Sequence, residues 1–394
     1  MGHDHAGTAP GPVAYRTIVR QWGRIGCTGF GGPPTHIAML RTLCVDQQGW
    51  LHDTEFEDAV AVTNLLPGPA STQLAILCAW RLRGWRGAIL GGASFILPGL
   101  GVIIVLAALF LAGHPPRWVR GAALGAGAAV AAVALNAAIG LVPSSWRRAG
   151  LRPPRRARWV VFALLGAASA ALVGPYLILV LLACGGVEVV IALRDLRPRT
   201  LNGILPLAMF VFLGAVGGIG ALVWVAFKVG ALSYGGGFVI IPLMQADAVT
   251  HYHWMTSAQF LNAVALGQIT PGPVVQTVAV VGYAAAGIGG ALLGAAVAFA
   301  PSFVFVIGGG RHFDVLRENR YVQAFLSGAG PASIGAIAGS SLPLGLALGH
   351  LWQLGILAGA LIWIVVLRRG VVPTLVTVGV LGVIAALVGL PLGG

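Results

Sequence analysis

Phe30-Gly31-Gly32-Pro33-Pro34 and, further along, Leu66-Pro67-Gly68-Pro69 decide how this chain is read. Both are spelled out a second time. An offset of 204 places Phe30 on Tyr234, Gly31 on Gly235, Gly32 on Gly236 and Pro67-Gly68-Pro69 on Pro271-Gly272-Pro273. The same gapless register pairs Trp50 with Trp254, Phe56 with Phe260, Asp58 with Asn262 and Arg24 with Lys228. One register held across glycine, proline, tryptophan and a cation marks an internal duplication.

The rest of the chain says where those motifs sit. It is 57% hydrophobic and 9% charged, where a soluble domain carries roughly 25% charged residues. With a mean hydropathy of +0.89, this is the composition of an all-α polytopic membrane protein. The short alternating segments of a β-barrel are absent from the sequence. Its 59 glycines suit helices that pack closely in lipid. The formal charge of +13 rests on arginine, Lys228 being the only lysine. Much of it falls in loops, a topology signal toward anionic lipid. No basic soluble domain exists to hold nucleic acid. The four cysteines show neither CxxC nor metal spacing, so no metal or other cofactor is expected. Residues 1–13 form a polar tail without the apolar core of a cleaved signal.

Apolar segments are expected at 14–40, 56–80, 86–112, 117–141, 159–173 and 175–193, then an extra one at 203–219. The second half continues at 221–245, 258–284, 288–308, 325–345, 351–367 and 371–391. The count is thirteen, within a range of about 10–13 transmembrane segments. Arginines 147, 148, 152, 155, 156 and 158 follow the fourth segment, and its second-half counterpart near 348–351 has none. The turn at Gly174-Pro175 is bare, while its counterpart carries Arg368-Arg369. Positive loops face the cytoplasm, so the two copies run in opposite senses: a first repeat over 14–200 and an inverted one over 201–394. This places the N-terminus inside and the C-terminus outside, with Arg117 and Arg120 on the less favourable side.

Gly-Gly-Pro-Pro and Pro-Gly-Pro interrupt any helix that contains them. Unwound backbone at membrane depth survives only where protein or a water-filled cavity covers it. Four breaks, two per inverted copy, point to a substrate site of a secondary transporter. Pro33-Pro34 and Pro69 read as starts of half-helices, whose free amides carry about half a positive charge. Ser71 and Thr72 follow one Pro-Gly-Pro, and Gln276 and Thr277 follow the other, adding side-chain donors. Arg24 and Lys228 precede their glycine pairs at matched positions, and a mid-membrane cation costs roughly 2.5–3.5 kcal/mol on insertion scales. Together these predict a pocket for an anion, a dianion included. The candidate substrate-binding set is Arg24, Gly31, Gly32, Pro67, Gly68, Pro69, Ser71, Thr72, Lys228, Gly235, Gly236, Pro271, Gly272, Pro273, Gln276 and Thr277. Proton coupling needs a group that titrates: Asp58, Glu188 and His36 are the candidates, with Asp247 a further acid bordering an apolar segment. His251-Tyr252-His253 reads as a solvated loop. With no Walker motif, HExxH or GxSxG, an ATPase or an intramembrane enzyme is not expected.

At Phe30-Gly31-Gly32-Pro33, Leu66-Pro67-Gly68-Pro69-Ala70-Ser71 and Phe227-Lys228-Val229-Gly230-Ala231 the sequence resembles the chromate ion transporter family, over nearly its whole length. The resemblance implies a bacterial inner-membrane protein that exports chromate using the proton motive force and is built of two fused, inverted halves. The family's motif residues map onto Arg24, Gly31, Gly32, Pro33, Pro67, Gly68, Pro69, Lys228, Gly235, Gly236, Gly237, Pro271, Gly272 and Pro273. Tyr234 stands where Phe is usual, and Phe238-Val239 where a His is common, which puts a second-half histidine in doubt. The partners implied are chromate, protons and the lipid bilayer, with a homodimer left open. Sulfate is a tetrahedral dianion of similar size, so a sulfate or other oxyanion transporter stays open, as does a passive anion channel with the same pocket.

Overall fold

The computed structural model describes residues 13–63, 66, 68–111, 115–150, 152–172, 177–194, 217–233, 240–309 and 319–392. Pro67, Gly235, Gly236, Gly237 and most of the extra segment expected at 203–219 lie outside the described residues. Those described are helical, without a strand. The chain is an all-α polytopic membrane protein. Three helices, 70–110, 117–149 and 274–309, are long and apolar enough to cross a bilayer, and four shorter ones are apolar. Leucine, isoleucine and valine side chains stand exposed along them, among them Leu97, Val105, Val304 and Val376.

The first half opens with α1 (Tyr15–Thr28) and α2 (Pro33–Arg41), the latter running into a π-helical turn at Thr42–Gln47. Between them Gly31 and Gly32 hold φ of 99° and 76°, a region that disfavours any residue with a Cβ. α3 (Asp53–Thr63) and α4 (Ala70–Phe110) follow. The segment expected as one interrupted span at 56–80 is a re-entrant hairpin. Arg81, at the end of its returning leg, donates to the Glu55 carbonyl at the start of α3. The first pair closes the same way: Trp50, after α2, stacks on Trp22 of α1 at 6.4 Å. The guanidinium of Arg83 lies 4.2 Å above the Tyr15 ring. Both hairpins thus stand on one side of the protein and bring their tips, at 29–32 and 66–69, to its interior.

The link expected between the segments 56–80 and 86–112 contracts to one reversal inside α4, where Arg83 and Gly84 leave helical geometry. A Cβ on Gly87 would lie 2.4 Å from the Ala79 carbonyl, so the two parts of α4 run back to back. The second part, 85–110, is about 39 Å long and crosses the bilayer. α5 (Arg117–Ala128) and α6 (Val130–Ala149) form one kinked span, followed by α7 (Pro153–Leu172) and α8 (Leu177–Arg194). Arg147 and Arg148 occupy the last turn of α6 rather than a loop. Cations there complement the carbonyl end of the helix dipole, so the helix outlasts its apolar stretch.

The second half repeats these boundaries. α9 (Ile219–Leu232) lies 204 residues after α1, and the π-helical turn Ala246–His251 that ends α10 (Ile240–Gln245) lies 204 after Thr42–Gln47. α11 (Ser257–Ile269) and α12 (Thr277–Gly309) follow, and α12 reverses at Ala286-Gly287 with the dihedral angles of Arg83-Gly84 to within about 10°. The chain ends in α13 (Arg320–Leu346), α14 (Leu351–Leu361) and α15 (Val371–Leu387). Arg320, opening α13, donates to the Ala192 carbonyl near the end of α8. Gln353, near the start of α14, donates to Leu124 of α5, and Trp352 to Pro391 beside the C-terminal end. α5 and α13 therefore begin at opposite ends of the bundle. The halves interlock: a Cβ on Gly166 of α7 would sit 1.9 Å from the Ala332 carbonyl of α13, and one on Gly335 1.8 Å from that of Ala163. Only glycine permits that backbone approach.

Candidate substrate site

The tips meet across the halves. The Gly68 amide donates to the Ser233 carbonyl at 3.1 Å, and the Gly272 amide to the Gly29 carbonyl at 3.0 Å. Gly272 is the 204-register counterpart of Gly68, and Ser233 that of Gly29, so one bond is made twice. Gly68 and Gly272 hold φ of 124° and 96°, which aims each amide out of its own tip. Around them the helices begin. Pro69 precedes α4, and the first amides bonded back to it are those of Thr72 and Gln73; Pro273 stands likewise before Gln276. The preceding amides, of Ala70 and Ser71 and of Val274 and Val275, are the ones a helix start leaves outside its ladder. At α2 the arrangement is poorer in donors, since Pro33 and Pro34 have no N–H.

Side chains complete the setting. His36 is buried, with Nε2 2.9 Å from the Gly29 carbonyl and Nδ1 3.3 Å from Ser71 Oγ. Gln276 Nε2 donates to the Ile96 carbonyl at 2.8 Å, which ties the fourth tip to the crossing part of α4. Thr277 spends its hydroxyl on Val274 O. Thr72 Oγ1, Ser233 Oγ, Gln276 Oε1 and Ser302 Oγ are buried without a hydrogen-bond partner. Ser302 Oγ lies 3.4 Å from where a Gly68 Cβ would be. A buried polar atom left unpaired is costly, so a cluster of them at one place calls for a ligand or water. Ser233 and Ser302 are additions to the expected set. Ser233 shares a register with Gly29. From the reversals onward the offset falls to 203, as the helix prolines Pro98 and Pro301 show, so Ser302 is the counterpart of Gly99 and no motif marks it.

The charged residues are arranged differently from the expectation. Lys228 Nζ is 2.6 Å from Asp247 Oδ2, with side chains 15% and 8% exposed, and lies 5.6 Å from the Trp224 ring. The pair joins α9 to the π-helical turn that ends α10, about one turn before Ser233, so this cation is already neutralised. Arg24 lies on an exposed face of α1. Asp58 is exposed on α3, in a recess it shares with Trp50, Glu55, Trp80 and Arg81. Glu188 is not alone: Arg158 grips both its oxygens, Nε at 2.5 Å and Nη2 at 3.2 Å. His251-Tyr252-His253 is not joined by other ligands, and no group of His, Cys, Asp or Glu able to hold a metal occurs among the described residues.

The chromate transporter family model matches residues 16–189 and 220–390. The chain belongs to the chromate transporter family. Among the relatives of this chromate transporter-family chain, the chromate transport protein of Cupriavidus metallidurans is 31% identical over 86% of this chain and 84% of its own. That of Pseudomonas aeruginosa is 30% identical over 85% and 82%, and a probable chromate transport protein of Synechococcus elongatus 26% over 84% and 85%. No solved structure matches the chain. Membership makes the protein a transporter and not an enzyme.

Proposed function

We propose that the protein exports chromate across the bacterial inner membrane in exchange for protons, holding the anion where the re-entrant tips meet. The observation that carries this is the pair of crossed amide bonds, Gly68 to Ser233 and Gly272 to Gly29. They bring interrupted-helix starts from both halves to one point lined by hydroxyls without acceptors. A tetrahedral dianion is best held by donors converging from several directions in a water-poor setting. Thr72, Ser233 and Ser302 can donate such bonds, with the amides of Ala70, Ser71, Val274 and Val275. We read residues 14–200 and 201–394 as inverted repeats, with N-terminus inside and C-terminus outside. The opposite starts of α5 and α13 favour that reading.

An inside-negative membrane potential already drives a dianion outward, by about 4.6 kcal/mol per 100 mV at about 2.3 per charge. Proton exchange adds to this. We assign it to His36, the titratable side chain that touches two tips. A proton there adds positive charge and by itself would favour co-binding, so exchange requires the tips to change access between the two events. Glu188 is held by Arg158 and Asp58 lies away from the tips, which makes them weaker carriers of coupling.

Chromate flux into inverted proteoliposomes tests the proposal, with voltage clamped, the pH gradient varied and sulfate as competitor. Uptake should follow the pH gradient, and His36→Gln should abolish that dependence while leaving chromate binding measurable. Arg24→Ala should slow transport without loss of insertion. Flux that ignores the gradient at fixed voltage would mean a passive anion channel. Equal competition by sulfate would broaden the substrate to tetrahedral oxyanions.

A further inference from the structure

A cluster of arginines on α6, α7, α8 and α13 has no part in the proposed transport site. Where the end of α6, the start of α7, the end of α8 and the start of α13 converge, a cavity of about 610 Å³ is lined by Arg148, Arg152, Arg155, Arg158, Arg320 and Glu188. The lining carries five arginines to one glutamate, an excess of positive charge, and Arg158 pairs with that glutamate. The helices fix this excess. Arg148 closes the last turn of α6, where a cation suits the carbonyl end, but Arg155 and Arg158 stand in the first two turns of α7. Cations at a helix start oppose its dipole, so local helix energetics do not explain them.

An apolar strip runs away from the cavity. Val161 and Leu165, three and seven residues on from Arg158, share its face of α7 and are 50% and 49% exposed. Val160 and Leu164 beside them are 41% and 63% exposed. Cationic recess and lipid-facing strip together have the form of an amphiphile with an anionic head.

We propose that this cavity binds a phosphate-bearing anion, supplied by the headgroup of an anionic phospholipid whose acyl chain lies along Val161 and Leu165. Guanidinium forks match phosphate oxygens in pairs, and arginine pockets between membrane helices are suited to such headgroups. The strip favours lipid over soluble phosphate, because a free ion would make no use of it.

The experiment uses the full chain, purified in detergent and depleted of lipid, with thermal unfolding and native mass spectrometry as readouts. Phosphatidylglycerol and a diphosphatidyl lipid should bind and raise the midpoint, and phosphatidylcholine should not. Arg152 and Arg155 are exposed, so Arg152→Gln with Arg155→Gln should fold normally. That variant should bind anionic lipid roughly 25-fold more weakly, at about fivefold per arginine. Inorganic phosphate that stabilises the wild type as well as lipid does, and fails on the variant, would keep the site but make its ligand soluble. Leu165→Gln separates the two sources, since it should weaken only lipid. Equal binding of phosphatidylcholine, or no loss in the double variant, would overturn the proposal.

Discussion

Removing either partner of the Lys228–Asp247 pair should have opposite effects on chromate binding. The ammonium and carboxylate are 2.6 Å apart and largely buried. Deleting one partner of a buried pair strands the other and costs about 3–5 kcal/mol. The residual exposure of both side chains places this pair near 3. Lys228→Ala and Asp247→Ala should therefore each lower the thermal midpoint, and the double variant should recover most of the loss. Binding separates the partners. Lys228 stands five residues before Ser233, about 8 Å of helix. At that distance one unit charge acts on a dianion with at most about 4 kcal/mol at an effective dielectric constant of about 20. Asp247→Asn exposes that charge to the site and should tighten chromate binding by tenfold or more, while Lys228→Ala abolishes transport. Calorimetric titration on purified protein and flux in proteoliposomes read the two quantities. Weaker binding in Asp247→Asn, or normal flux in Lys228→Ala, would refute the idea that Lys228 acts on the anion.

Gly68→Ala and Gly272→Ala place a Cβ at φ of 124° and 96°, a strain of about 1–3 kcal/mol; each should stop flux. Gly84→Ala and Gly287→Ala carry similar strain at φ near 60°, in open space, and should destabilise the chain comparably while chromate flux persists. Thr72→Val and Ser302→Ala remove buried hydroxyls that lack partners. They should leave the unfolding midpoint unchanged or raised, while chromate affinity falls about tenfold for each lost bond. Glu188→Gln loosens the Arg158 grip, so the midpoint should drop by the equivalent of about 1 kcal/mol; the pH-gradient dependence of flux should stay as in the wild type.

The breaks were legible because glycine and proline act locally: positions 29–34, 66–69 and 270–273 interrupt helices wherever the chain places them. The duplicate register was legible too; the matching helix starts at Tyr15 and Ile219 came from the structure, since the apolar segments were expected to begin at 14 and 221. Hairpin closure was not. Some 25 apolar residues with a central break read alike whether the second leg continues across the bilayer or turns back, and only contacts such as Arg81 with Glu55 decide. Partnership was equally hidden. Lys228 and Asp247 are 19 residues apart, at no helical spacing, and meet because α9 packs beside the turn that ends α10. Glu188 reads in the sequence as a coupling candidate with no partner in view because its cation stands 30 residues earlier on another helix. Ser302 was missed for a different reason. Its counterpart is a glycine, so the duplication offered no side chain to compare.

The two crossed amide bonds also bear on energy as a function of access. Each is a single backbone bond, worth on the order of 1 kcal/mol net, and the two differ little in length. Unlatching at Ser233 or at Gly29 thus breaks one backbone bond of the same kind. If the two halves are inverted as proposed, a small bias such as voltage or an occupying ion would suffice to choose the face on which the protein opens.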